Sequence, residues 1–168
     1  MEDNYGKQIQ MQILDFATTK RAEWEENHQL YSVVFEITPR CNFNCVHCYL
    51  HDHHCSKELP YDEIIRILDI LYQNGVLFLT LTGGDIFVRK DFIDIYTYAK
   101  KKGFIVELYT NAALLDERIL AVLKKYPPLL VDISLYGSCE ETYQRVTGVV
   151  GAFGKILVCL WKQISGFH

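Results

Sequence analysis

The chain has 168 residues, 49% of them hydrophobic and 23% charged, with a net charge of −4. That length supports one sizeable core rather than two comfortable domains. The mild negative charge excludes recruitment of nucleic acid or an anionic membrane by bulk electrostatics. No apolar run approaches the roughly 20 residues of a membrane span, and the N-terminus lacks a secretory-signal layout, so no membrane partner and a cytoplasmic, reducing setting are expected. There, six cysteines point to metal or redox chemistry more than to a disulfide frame.

Residues 1–30 are polar and weakly periodic (Ile9, Ile13, Phe16) and read as a helix or loose lead-in. From residue 31 to 168 the sequence reads as one core. "YSVVFEIT" alternates as a strand, with Val34, Glu36 and Thr38 on one face and Val33, Phe35 and Ile37 on the other. "LPYDEIIRILDILYQNG" is a helix, with Pro60, Asp62 and Glu63 at its start, Ile64, Ile67, Leu68 and Leu71 at helical spacing, and Gly75 as its stop. "VLFLTL" is a second strand. "KDFIDIYTYAKKKG" is a helix whose stripe is Phe92, Ile95, Tyr96 and Ala99 and whose end is Gly103; Arg89 and Lys90 before it read as surface residues. "FIVELY" is a third strand, "DERILAVLKKY" a helix closed by Pro127 and Pro128, and "LLVDISL" a fourth strand. "CEETYQRVTG" and "AFGKILVCLWKQI" read as helical.

Strands alternating with helices imply βαβ units and a parallel sheet, hence an α/β fold. Glu36, Thr80, Glu107, Asp132 and Ser134 place polar groups on one strand face. A doubly wound sheet would be apolar on both faces, whereas a curved, partly closed (β/α) barrel lines an interior with such groups.

"TPRCNFNCVHCYL" follows the first strand and sets Cys41, Cys45 and Cys48 within reach of one centre. Chemistry in α/β proteins gathers at the C-terminal ends of strands. Four thiolates would suit structural zinc or an ordinary iron–sulfur cluster; three suggest a cluster with one open coordination position. Zinc stays open as an alternative, with His47, His51, His53, His54 or Cys55 completing the site. Cys159, within "ILVCLW", reads as a buried small hydrophobe.

"CNFNCVHCY" resembles the cluster motif of the radical S-adenosylmethionine (radical SAM) enzymes, Cys-x₃-Cys-x-aromatic-Cys. "LTGGDIFVRKDF" is similar to their Gly-Gly-Glu-Pro segment, "LYTNA" to Thr-Asn-Gly, and "DISLYGSCEETYQRVTGVVGAF" to Ser-x-x-Gly and the helix after it. The likeness runs from about residue 31 to 155 and is nearest the peptide-modifying and maturase branch, which often carries an auxiliary-cluster extension called SPASM. It implies a [4Fe–4S] cluster on Cys41, Cys45 and Cys48, with S-adenosylmethionine (SAM) on the open iron. An electron from a flavodoxin- or ferredoxin-type partner would cleave SAM to methionine and a 5′-deoxyadenosyl radical that abstracts a hydrogen from a peptide or protein substrate. It further implies His47 against the adenine, Gly83, Gly84 and Asp85 at the SAM amino group, Ser134 at the ribose or carboxylate, and Arg145 at the carboxylate. Asn111 would contact the cofactor or shape a turn.

The sequence departs from that pattern at Asp85, Ile86 and Ala112, which stand for glutamate, proline and glycine. About four βα units are found where the family has six. The apolar edge of the fourth strand is then expected to be covered by the last helix or by a second chain completing the barrel, or else to mark a truncated, non-catalytic remnant that holds only a cluster.

Overall fold

The computed structural model describes residues 2–50 and 58–157. Helix α1 (Glu2–Glu26) leads into strand β1 (Ser32–Thr38). Three helix–strand pairs follow: α2 (Tyr61–Gln73) and β2 (Phe78–Gly83), α3 (Phe92–Lys102) and β3 (Ile105–Thr110), α4 (Glu117–Lys125) and β4 (Leu130–Ile133). Helix α5 (Glu140–Thr147) and a helical segment at 152–157 complete the described chain. The strands pair in the order β1-β2-β3-β4, all parallel, with β1 and β4 at the edges.

The two faces of this sheet differ as the alternation in the strands requires. One face carries the register row Phe35, Leu81, Leu108 and Val131. Against it pack Ile64 and Leu68 of α2, Phe92, Ile95, Tyr96 and Ala99 of α3, and Ile119 and Leu123 of α4. Burying each large apolar side chain contributes about 1.5–3 kcal/mol, so these residues are the main source of stability. The other face carries Val34, Thr80, Glu107 and Leu130 in register. Val34 and Leu130 are exposed there, and Thr80 donates to Glu107 at 3.2 Å. All three connecting helices lie on the first face, so the second is the concave interior of a partial barrel. The polar pattern of the strands foretold this.

Local signals act where expected. Pro60 is the N-cap of α2, Asp116 caps α4 by accepting from the Ile119 amide, and α3 ends at Gly103 with φ +108. The lead-in is a long helix, held at its C-terminal end by Trp24. That ring stacks on Tyr31 at 4.7 Å and meets Phe78 edge-on, at the N-terminal end of the sheet and away from the strand C-termini. No described helix is long and apolar enough to cross a membrane.

One expectation is corrected. Lys90 is exposed, but Arg89 is only 5% exposed. Its guanidinium donates to the Ile37 and Leu59 carbonyls and to the Asp91 carboxylate, so it is an interior residue and not a surface one.

Candidate metal and cofactor site

Apart from Arg145, which lies on α5, the residues singled out in the sequence come from the C-terminal ends of all four strands. β1 delivers the cysteine loop, β2 Gly83 to Asp85, β3 Thr110 and Asn111, and β4 Ser134. Parallel pairing puts these ends on one rim of the sheet.

Cys41, Cys45 and Cys48 are each half-buried on a loop that is pinned from two sides. On one side, the Asn44 and Val46 amides donate to the Thr147 and Val146 carbonyls at the end of α5, at 3.0 and 2.9 Å. Beneath the loop, Phe43 packs with Tyr143, Ala152 and Ile156 in a second apolar cluster, which Cys41, Cys45 and Tyr136 border. On the other side, Gly84 and Asp85 donate their amides to the Thr38 and Arg40 carbonyls, both at 2.9 Å. The need for two glycines follows. A Cβ at Gly83 would stand 2.1 Å from the Thr38 carbonyl oxygen, and one at Gly84 2.2 Å from that of Arg40. Gly83 also has φ +135, a conformation that side chains resist. The pair therefore admits the chain's own backbone, the start of the cysteine loop.

Asp85 is fully buried. Its carboxylate accepts from the Phe87 amide at 3.0 Å, the Thr110 hydroxyl at 2.7 Å and the Asn111 amide at 2.8 Å. Burial nevertheless raises its pKa, because desolvation outweighs those three donors. The carboxylate thus ties the end of β2 to the end of β3. An amino group arriving here would meet a carboxylate turned inward and already holding three donors. Asn111 is buried as well: its amide nitrogen reaches Asn42 Oδ1 at 2.9 Å and Cys41 Sγ at 3.8 Å, and its oxygen accepts from the Ala113 amide. It shapes its turn and touches the cysteine loop at once.

His47 is exposed with its ring 4.9 Å from Tyr136. Ser134 is half-buried, and its carbonyl accepts from the Tyr143 hydroxyl at 3.1 Å. Arg145 is exposed on α5. Sequence reasoning passed over Phe43, Tyr136 and Tyr143, and took Arg89 for a surface residue. The aromatic residues lie within the matched motifs, Phe43 between the first two cysteines of "CNFNCVHCY" and Tyr136 and Tyr143 in "SLYGSCEETY".

The donor set suits a thiolate-ligated cluster. Burial pushes the Cys41 thiol up to about 11 and also raises Cys45. The Phe43 amide donates to Cys41 Sγ at 3.4 Å, so a donor stands ready for the charge that ligation creates. Among the described residues no three His, Cys, Asp or Glu side chains converge as ligands of a single ion. The further zinc candidates His51, His53, His54 and Cys55, and also Cys159, lie outside the described residues.

The Radical SAM superfamily profile matches residues 35–160. The chain belongs to the radical SAM superfamily. AlbA of Bacillus subtilis, an antilisterial bacteriocin subtilosin biosynthesis protein, is 35% identical over 123 residues, covering 72% of this chain and 28% of that protein. A PqqA peptide cyclase of Rhodopseudomonas palustris is 35% identical over 135 residues, covering 79% of this chain and 36% of the cyclase. Relatives named as a heme synthase and a probable GTP cyclase also match. Among solved structures, Streptococcus suis SuiB bound to precursor peptide SuiA superposes with a TM-score of 0.63 at 21% identity, covering 83% of this chain and 33% of SuiB. That likeness supports the partial-barrel fold. The chain spans about a third of the length of these proteins. A [4Fe–4S] cluster and SAM are the cofactors of the superfamily.

Proposed function

We propose that this chain is the cluster- and SAM-holding part of a radical enzyme that removes a hydrogen atom from a peptide or protein. The observation that carries the reading is the loop of Cys41, Cys45 and Cys48, anchored on the rim where all four strands end. The peptide preference rests on the likeness to AlbA and the PqqA peptide cyclase.

In this reading Cys41, Cys45 and Cys48 hold a [4Fe–4S] cluster and leave one iron for SAM. Bound there, the cluster and SAM would supply the one-electron chemistry for hydrogen-atom abstraction. The chain's own part is to bind, orient and exclude water. Phe43, Tyr136 and Tyr143 keep the loop dry from beneath. The amides of Gly84 and Asp85 hold its first residues in place. His47 beside Tyr136 forms an aromatic ledge for the adenine. Ser134 stands toward the ribose or carboxylate, Asn111 contacts the cofactor from beside Cys41 or shapes its turn, and Arg145 offers a guanidinium that matches a carboxylate. Gly83, Gly84 and Asp85 frame the amino-group side through their backbone, given that the Asp85 carboxylate is engaged. Glu36, Glu107 and Asp132 on the concave face line the substrate space. A flavodoxin- or ferredoxin-type protein supplies the electron, further strands or a second chain pair with the open edge of β4, and the cytoplasm is the setting.

The test is anaerobic reconstitution with iron and sulfide, then SAM and a strong reductant, with 5′-deoxyadenosine quantified. Nucleoside in excess of protein is the expected result. A brown protein that forms none would leave a cluster-only remnant, and a colourless, zinc-loaded one would replace the iron reading altogether.

A further inference from the structure

The segment from Thr38 to Glu58 leaves the sheet at the end of β1, carries the three cysteines and returns at the start of α2. A buried cation bridges its two ends. Nη1 of Arg89 donates to the Ile37 carbonyl at 2.8 Å and to the Leu59 carbonyl at 3.1 Å. Its Nε and Nη2 grip the two Asp91 oxygens at 2.9 and 2.7 Å. Both carbonyls are special. β1 slips register against β2 between Glu36 and Thr38, which takes Ile37 out of regular pairing. Leu59 immediately precedes Pro60, the N-cap of α2. Asp91 is the N-cap of α3, yet its side chain makes no capping bond, because the carboxylate is given to Arg89. A second pair reinforces the closure: Glu58 accepts from the Thr38 hydroxyl and from Arg40 Nη2, the latter at 2.8 Å.

We propose that Arg89 is a positioning residue that closes the base of the cysteine loop and thereby fixes where Cys41, Cys45 and Cys48 stand. The clamp is a property of the chain alone; only its consequence for a cofactor rests on the proposed function. The chemistry favours arginine in particular. A planar guanidinium spans two carbonyls and a bidentate carboxylate at once, which a lysine ammonium at the same place does not. Burying an ion pair is a poor way to gain stability in comparison with an apolar contact, and its best-attested use is to fix one geometry among several. Here the geometry fixed is that of the cysteine-bearing segment, whose two ends are brought together against chain entropy.

The experiment uses the apo-protein under reducing, anaerobic conditions. Timed alkylation with iodoacetamide and mass mapping of each cysteine is run beside urea unfolding, for wild type, Arg89→Lys, Asp91→Asn and Leu68→Ala. In Arg89→Lys, Cys41 and Cys45 are expected to alkylate about tenfold faster or more, the scale on which an unmade charged hydrogen bond shifts a local opening equilibrium. Exposed Cys139 keeps its rate. Asp91→Asn falls between wild type and Arg89→Lys, and carries the test by itself if the lysine variant does not fold. Leu68→Ala lowers the urea midpoint but leaves the Cys41 rate near that of wild type. The proposal is overturned if Cys41 in the clamp variants labels as in wild type. It is equally overturned if its rate only follows the urea midpoint, so that Leu68→Ala gives the same rise. In iron-loaded protein, release of iron to a chelator should quicken in Arg89→Lys. A wild type that takes up no iron would sink the cluster reading while leaving the labelling result standing.

Discussion

The cluster between sheet and helices joins residues such as Ile64, Leu68, Leu79, Ile95 and Val106, each placed by the period of its own helix or strand. The cluster beneath the cysteine loop joins Phe43 from the loop, Tyr143 from α5, and Ala152 and Ile156 from the segment beyond it. The first is built from repeating units, any of which adds to a common interior. The second depends on three separated segments meeting, and on backbone bonds from Asn44 and Val46 to the end of α5. A core of the first kind sets whether the chain folds. One of the second kind sets where a loop stands on a chain already folded, and it can open by itself.

The largest effect that would sharpen this contrast comes from the thiols. Cys41→Ala, Cys45→Ala and Cys48→Ala should each abolish retention of a reconstituted cluster, read as iron and sulfide per chain after desalting, with little change in the urea midpoint. Cys139→Ala and Cys159→Ala should load as wild type does. Full iron loading in any of the first three would remove that cysteine from the ligand set.

Truncations in the two clusters come next. Leu68 is fully buried in the main core, so Leu68→Ala should cost about 3 kcal/mol in urea unfolding, within the usual range for a buried leucine. Phe43→Ala should shift the same midpoint less and yet speed the loss of iron to a chelator, since it removes the ring on which Cys41 and Cys45 rest. Equal midpoint shifts in the two variants would mean that the loop cluster is part of one cooperative core, and the contrast would fail.

The same contrast explains what the sequence made legible. Periodic elements announce themselves: the buried stripe of α3, the four strands and the polar concave face were all readable from spacing. The rim residues were readable too, through motifs held at successive strand ends. Arg89 was not, because its burial depends on the register slip at Ile37 and on Leu59 returning beside it, and neither leaves a periodic trace. For the same reason the inward turn of Asp85 escaped notice. A carboxylate after Gly-Gly gives no local sign that the Thr110 hydroxyl and the Asn111 amide will bond it. Local pattern reports which face a residue takes; only tertiary closure reports which partner it finds.

The smallest predicted effect lies where the two regions touch. Ala112 stands where the superfamily pattern has glycine, and it adopts φ +60 while fully buried. Alanine in that left-handed conformation carries roughly 1–2 kcal/mol of strain from its Cβ, which glycine lacks. Glycine in turn loses more freedom on folding, by about 0.5–1 kcal/mol. Removing the fully buried methyl costs about 0.8 kcal/mol more, so gain and loss nearly cancel and the urea midpoint of Ala112→Gly should stay close to that of wild type. The strain is tolerated because the surroundings over-determine the turn: the Ala112 amide donates to the Thr110 hydroxyl at 2.9 Å, and the same hydroxyl donates to Asp85 at 2.7 Å. That coupling makes the substitution informative about both regions. If the turn is held by Thr110 and Asp85, glycine relaxes the backbone without moving Asn111 away from Cys41, and iron retention stays at the wild-type level. An unchanged midpoint with faster loss of iron would instead show that the strained alanine helps press Asn111 onto the cysteine loop.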